Sequence, residues 1–318
     1  MRTLWCAPVV AAGLLVLAGC DEFGDWGPSD RYREDFHYSY TLNPGGTLSI
    51  ENFNGQVEIS GWNQNTVEIN GTKYGSTKEY MDEVKIDISN TPDVVHIRTI
   101  RPSLSRGGCG ARFSIRVPNH TLLDQIESTN GGIHVDGLDG TARLRTTNGA
   151  IRVERVNGDL DARTTNGGIY LRSYSGGARV QTTNGAIEAE TTRGSFEAQT
   201  SNGHIEASLT DPVANWPVKL ITRNGHIELT IRGAKIPDVH AESSNAAITV
   251  RLPADANARV RANTSHHNSI TSDFTTLVGT SEDDDRRHRR SDIDGTIGTG
   301  GALIDLSTSN GTIKILKL

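Results

Sequence analysis

Large apolar side chains are scarce in this chain. Its 318 residues include six Phe, two Met and four Trp. That supply is too thin for one core of ordinary thickness, and it favours units that each bury a narrow strip against their neighbours. Cysteine is nearly absent as well. Of the three, Cys6 and Cys20 lie near the start, which leaves Cys109 alone beyond them and excludes an internal disulfide framework. Basic charge is not in excess, with 32 Lys and Arg against 38 Asp and Glu. Aromatic residues are not interleaved with basic ones, so the footprint of a nucleic-acid binder is missing. Beyond the N-terminus no apolar run is long enough to span a bilayer. Phosphate-binding loops and a Gly-x-Ser-x-Gly elbow are also missing.

What is present begins with Met1-Arg2 and an apolar stretch from Val9 to Ala18. The stretch is too short for a transmembrane helix but fits the core of a secretory signal peptide. It ends in Leu17-Ala18-Gly19-Cys20, which resembles the lipobox of bacterial lipoproteins. The resemblance implies that residues 1–19 are removed and that Cys20 carries acyl chains, palmitate among them. An ordinary signal peptide followed by a chance cysteine is the alternative. Asp21 resembles the inner-membrane retention signal of enteric bacteria. Residues 20–35, rich in Gly, Pro and charge, read as a lipid-anchored tether.

Residues 36–120 show strand-like alternation, as in Gln56-Val57-Glu58-Ile59, and Thr77 to Glu83 suggests one short helix. A fixed period then takes over. Asn-Gly pairs begin at Asn130, Asn148, Asn166, Asn184 and Asn202, at a constant 18-residue interval. Asp139-Gly140, Asn157-Gly158, Ser175-Gly176 and Arg193-Gly194 stand halfway between them. Further copies stand at Asn54-Gly55, Asn224-Gly225, Asn245-Ala246 and Asn310-Gly311. Such self-similarity marks a repeat architecture. Between the turns, pairs such as Ile151/Val153, Leu160/Ala162 and Ile169/Leu171 alternate with polar residues, the signature of strands with one buried face. Asn and Gly suit turns that need a positive φ.

Alternation alone fits both an antiparallel meander and a parallel β-solenoid with 18-residue coils made of two nine-residue units. A meander would leave an apolar face uncovered, whereas a solenoid closes around its own core, and the expectation is therefore an all-β solenoid. Residues 121–252 are expected to be its regular part, 36–120 an N-terminal β region continuous with it, and 253–318 C-terminal coils with a mobile charged loop near 280–292. Like then stacks over like. Asn148, Asn166, Asn184 and Asn202 would form an amide ladder, with Thr147, Thr165, Thr183 and Ser201 beside it.

The recurrent Thr-x-Asn-Gly-x-Ile turns, the early Ile50-Glu51-Asn52-Phe53-Asn54-Gly55-Gln56-Val57 and the closing Ser307-Thr308-Ser309-Asn310-Gly311-Thr312-Ile313 resemble the bacterial "putative adhesin" β-strand-repeat family. The resemblance covers most of residues 36–318. It implies a β-solenoid in the cell envelope and supplies no catalytic residues.

Outward positions provide the site candidates. Glu188, Glu206 and Glu228 would form an acidic row, with His204 and His226 beside its end. The row reaches Glu228 only if four extra residues loop out, and Pro212 to Pro217 is the natural place. Carboxylates and imidazoles in one strip suggest a cation-binding or pH-responsive patch, against the plainer reading of solvated surface. His266-His267 lacks spaced partners, and Glu282 to Arg290 is an acid block followed by a basic one. Cys109 reads either as a lone reactive thiol or as a small residue in a Gly-rich loop. No cofactor and no metal site is expected. The whole points to a non-catalytic envelope lipoprotein acting as a display, adhesion or binding module. Its partners would be the membrane, through the lipid, and a glycan or envelope protein. A carbohydrate-active β-helix enzyme or an envelope-stress regulator is the alternative.

Overall fold

The computed structural model describes residues 30–102, 108–212, 215–233, 235–265, 268–277 and 292–318. The signal peptide, Cys20, His266-His267 and Glu282 to Arg290 lie outside them. The first strands are β1 (Tyr32–Thr41), β2 (Thr47–Asn54), β3 (Val57–Trp62) and β4 (Thr66–Gly75). Then come helix α1 (Lys78–Glu83), β5 (Lys85–Thr91), β6 (Val94–Ile100) and β7 (Cys109–Pro118). The repeat region supplies β8 (Leu122–Asn130), β9 (Ile133–Asp136), β10 (Ala142–Thr146), β11 (Ile151–Glu154), β12 (Leu160–Thr164), β13 (Ile169–Arg172) and β14 (Ala178–Gln181). It continues with β15 (Ile187–Thr192), β16 (Phe196–Thr200), β17 (Ile205–Thr210), β18 (Val218–Thr222), β19 (Ile227–Arg232), β20 (Val239–Ser243) and β21 (Ile248–Leu252). The chain closes with β22 (Ala258–Thr264), β23 (Ile270–Ser272), β24 (Asp292–Ile297), β25 (Ala302–Thr308) and β26 (Ile313–Lys317).

The fold is a parallel β-solenoid of two 13-stranded sheets. Each regular coil contributes one strand to each sheet, so β10 pairs in parallel with β8 and β12, and β11 with β9 and β13. The repeat period sets the register. Ile133, Ile151, Ile169, Ile187, Ile205, Ile227 and Ile248 stand over one another inside, all buried. Phe196, the bulkiest residue of its column, stands over Ala178, so volume is balanced from coil to coil.

At the ends the order of coils in space departs from their order in the chain. In space β6–β7 comes first, then β2–β3, then β8–β9. The chain lays down β2–β3, steps back to build the outer coil, then crosses over to continue the stack. At the other end β25–β26 lies between β20–β21 and β22–β23. The coils carrying the early and the closing Asn-Gly copies are thus enclosed on both sides. Antiparallel strands finish each end, β1 on β4 and β5 on β6 at one, β24 on β22 at the other.

Two local expectations change. The strand β1 begins at Tyr32, inside the stretch read as tether. Its faces are mostly exposed, so it lacks the apolar alternation that betrays a half-buried strand. Asp30, buried just before it, pairs with Arg112, whose guanidinium lies 4.8 Å over the Tyr74 ring. Burial pushes the Tyr74 phenol up to about 12, against the pull of Arg112. Cys109 is buried at the start of β7 and does not sit in a loop. Helix α1 is capped as its sequence suggests, with the Thr77 hydroxyl accepting from the Tyr80 amide.

Glycine at the Asn-Gly corner is required for a reason other than φ. Positive φ occurs at the opposite corner, at Gly158, Gly176 and Gly194, and at the Asn corner only at Gly55 among the described residues. At the Asn corner the backbones of successive coils touch, and a Cβ on Gly167 would come within 2.0 Å of the Gly149 carbonyl oxygen. Gly167→Ala must push two coils apart. It is expected to cost roughly 1–3 kcal/mol, the usual penalty of forced overpacking, read by urea melts against the parent chain.

Candidate functional site

Three outward arrays and one inward array repeat along the stack. The first outward array is the amide ladder. Asn166 Nδ2 donates to Asn148 Oδ1 at 2.8 Å, Asn184 to Asn166 at 2.9 Å and Asn202 to Asn184 at 2.8 Å. It extends past the four residues named from the sequence. Asn148 donates to Asn130 and Asn130 to Asn54, while on the other side Asn224, Asn245 and Asn310 follow in turn. At the N-terminal end the Asn54 amide donates to the Cys109 carbonyl. The backbone follows the same step, with the Asn166 amide donating to the Thr147 carbonyl. Thr147, Thr165 and Thr183 stand exposed beside the ladder.

The inward array was not anticipated. One residue before each of these outer positions and their equivalents lies a buried hydroxyl, at Thr146, Thr164, Thr182, Thr200, Thr222 and Ser243. Each donates to a glycine carbonyl of the preceding coil, as Thr164 does to Gly149 at 2.9 Å and Thr182 to Gly167 at 2.9 Å. The Asn corner is thereby bonded inside and outside. The doubled Thr-Thr before Asn-Gly carries the signal, since alternation assigns one of the two to the core.

The second outward array is the acidic strip. Glu188, Glu206 and Glu228 are adjacent in register, and the extra residues fall in the chain between β17 and β18. Nitrogen-bearing side chains flank the row. His204 Nε2 lies 3.6 Å from Glu188 Oε1, and Arg251 pairs with Glu228. His204 and His226 stack face to face, centroids 4.9 Å apart. Among the described residues no three His, Cys, Asp or Glu side chains converge on a point that could hold a metal ion. The strip continues into Tyr170 and Arg152, whose guanidinium lies 5.2 Å over the Tyr170 ring.

The third outward array, on the other sheet, alternates in sign. Arg143, Asp161, Arg179, Glu197 and Lys219 follow one another in register. His240 and Asp305 extend the row. Arg179 is 2.7 Å from Glu197, and His240 Nδ1 is 3.1 Å from Asp305 Oδ2. Opposite charges one repeat period apart are the trace of this row in the sequence.

Neither a protein-family model nor a curated protein matches the chain. Solved structures similar to it include one described as a putative cell adhesion protein from Clostridium sporogenes, 12% identical over 90% of this chain and 100% of that one, with a TM-score of 0.21. Another is described as a putative adhesin from Bacteroides fragilis, 10% identical over 90% and 97% of the two chains, TM-score 0.42. A third, a putative adhesin from Parabacteroides merdae, is 9% identical over 89% and 96%, TM-score 0.31. These proteins carry the name of the family that the repeat motifs resemble. The solenoid itself rests on the strand pairing of this chain.

Two variants probe the arrays. An aspartate at Asn184 still accepts from Asn202, but when ionised it cannot donate to Asn166 and sets oxygen against oxygen. Its folded pKa should therefore lie above the ordinary aspartate value of ~3.9. Asn184→Asp is expected to be close to the parent in stability below that value. It should lose about 1–2 kcal/mol as pH rises through the raised folded pKa, measured by chemical melts across pH. Glu206→Gln removes the central charge of the acidic strip. It should raise stability by a few tenths of a kcal/mol and reduce any upward melting shift caused by millimolar calcium.

Proposed function

We propose that this chain is a non-catalytic envelope lipoprotein, a rigid rod held by one end and used as a binding or adhesion module. The observation that carries the reading is the position of β1. It starts at Tyr32, a short tether after Cys20, and forms the edge of one sheet at the N-terminal end of the stack. A lipid on Cys20 would hold the rod within about 40 Å of the membrane, the reach of roughly a dozen extended residues. Thirteen strands at ~4.8 Å give the rod a length of roughly 55–60 Å. The outward arrays run along its sides, where a partner could meet them. Multiple acyl chains at Cys20 would give stable anchoring where a single chain gives only marginal binding. Among the described residues no helix is long and apolar enough to cross a membrane.

Within the alternating row Arg179, Glu197 and Lys219 bond to one another along the stack, as do His240 and Asp305, as a scaffold needs. A carbohydrate-active enzyme would instead aim an acid pair at a bond in its groove.

Two measurements test the reading. Intact mass spectrometry of the membrane fraction should find an acylated N-terminal Cys20, and Cys20→Ser should move the protein into the soluble fraction. The detergent-purified chain should then co-sediment saturably with isolated cell envelopes without releasing soluble sugar. An unmodified N-terminus elsewhere, or steady release of sugar, overturns it.

A further inference from the structure

The loop that makes one coil longer than the regular period has an effect beyond preserving register. It ends in Trp216-Pro217, and the Pro217 carbonyl accepts from the Phe196 amide, so the ladder is unbroken there. Trp216 is 42% exposed, a rare setting for the largest side chain. Its ring rests against the corner opposite the Asn ladder. The ring edge would stand 3.1 Å from a Cβ on Gly194.

That corner is bare. Gly140, Gly158, Gly176 and Gly194 occupy equivalent positions in four successive coils, and a Cβ on any of the last three would strike the glycine carbonyl of the coil before. Gly140, Gly158 and Gly176 form the floor of a trough of about 460 Å³, edged by Leu122, Thr141, Asp159 and Ser195, with Trp216 at one end against Gly194. Asp159 and Ser195 stand over Gly177, with Asp159 Oδ1 and Ser195 Oγ 3.0 and 3.2 Å from where its Cβ would be. The trough shares Gly177 and Ser195 with a second cavity of about 570 Å³, which carries Glu197, Lys219, Asp238 and His240. Two coil steps along the glycine floor, from Gly140 to Gly176, span about 10 Å, room for a short linear oligomer.

We propose that this trough binds a neutral, hydroxyl-rich oligosaccharide, with one sugar stacked on the Trp216 indole. This names a ligand for the binding-module reading and rests on it. Three features select the class. An exposed indole offers a flat apolar face and a polar N–H to a ligand that has both kinds of surface. Charges of both signs flank it, with Glu197 between Arg179 and Lys219, so a polyanion or a polycation would each meet like charges. Hydroxyl groups, which donate and accept, complement carboxylate, ammonium and imidazole alike. The glycine floor lets a chain of rings lie close to the backbone along the stack axis, with Thr141, Asp159 and Ser195 at its edge as hydrogen-bond partners.

The full chain, purified in mild detergent, is applied to an array of neutral hexose and N-acetylhexosamine oligosaccharides, with sulfated and uronic-acid glycans on the same slide. The tightest binder is then titrated by calorimetry. Neutral glycans should bind in preference to charged ones. Trp216→Ala should weaken binding roughly tenfold or more, and Trp216→Phe should retain most of it. The thermal melt of both variants should match the parent, because the side chain is exposed. A blank array, a preference for charged glycans, or Trp216→Ala binding as the parent does overturns the proposal. If any of these occurs while the chain still co-sediments with envelopes, the module reading stands and the trough assignment alone falls.

Discussion

The contact on which the rest depends is backbone against backbone at the Asn-Gly corner. From Gly131 to Gly225 each glycine there sits directly over the glycine carbonyl of the neighbouring coil, too close for a Cβ unless the coils shift, and Gly311 sits over the carbonyl of Ala246. That approach fixes the coil spacing. Once the spacing is fixed, Asn amides reach one another outside and Thr hydroxyls reach glycine carbonyls inside. The isoleucine column and the charge rows then fall into register without further instruction. A thin apolar supply suffices, because every coil uses the neighbouring coils as its walls.

The second corner follows other rules. It turns through positive φ at Gly158, Gly176 and Gly194, but also at Arg155 and Ser173, where a side chain bears the strain. Inside it Leu138, Val156 and Tyr174 are buried. The Tyr174 hydroxyl lies within hydrogen-bond reach of the carbonyls of Gly158 and Gly177, which share its one proton. Burial raises the Tyr174 pKa, so the phenol remains a donor. Variation is concentrated at this corner, where the long loop and Trp216 are admitted, while the Asn corner stays nearly invariant along the stack.

Features that recur once per coil are legible in the amino-acid sequence alone. Ile151, Ile169 and Ile187 announce one inner column, and Asn148 to Asn202 announce the ladder, because in a parallel stack equal spacing means vertical neighbours. Features that depend on the order of coils are hidden. Asn54 and Asn310 look like outlying copies of the motif, yet each occupies a regular rung, separated from Asn130 and Asn245 by 76 and 65 residues of chain. Periodicity says what a coil is and is silent on which coil lies beside it. The strand β1 escapes notice because an exposed antiparallel edge leaves no apolar pattern. The trough at Trp216 escapes because its floor is made of residues with no side chains, and its aromatic enters through an interruption of the period.

The enclosed coils at the two ends change how the rod bears load. In an ordinary repeat array the terminal unit has one neighbour and peels away first. A pull on the N-terminus of this chain can strip β1 from β4, strand by strand along an edge, but then meets β2–β3, held by β6–β7 on one side and β8–β9 on the other. At the opposite end, traction on Leu318 draws on β26, which is bonded to both β21 and β23. Once β1 is gone, force along either terminus must therefore break two ladders at once, in the manner of a tenon pulled from a closed joint.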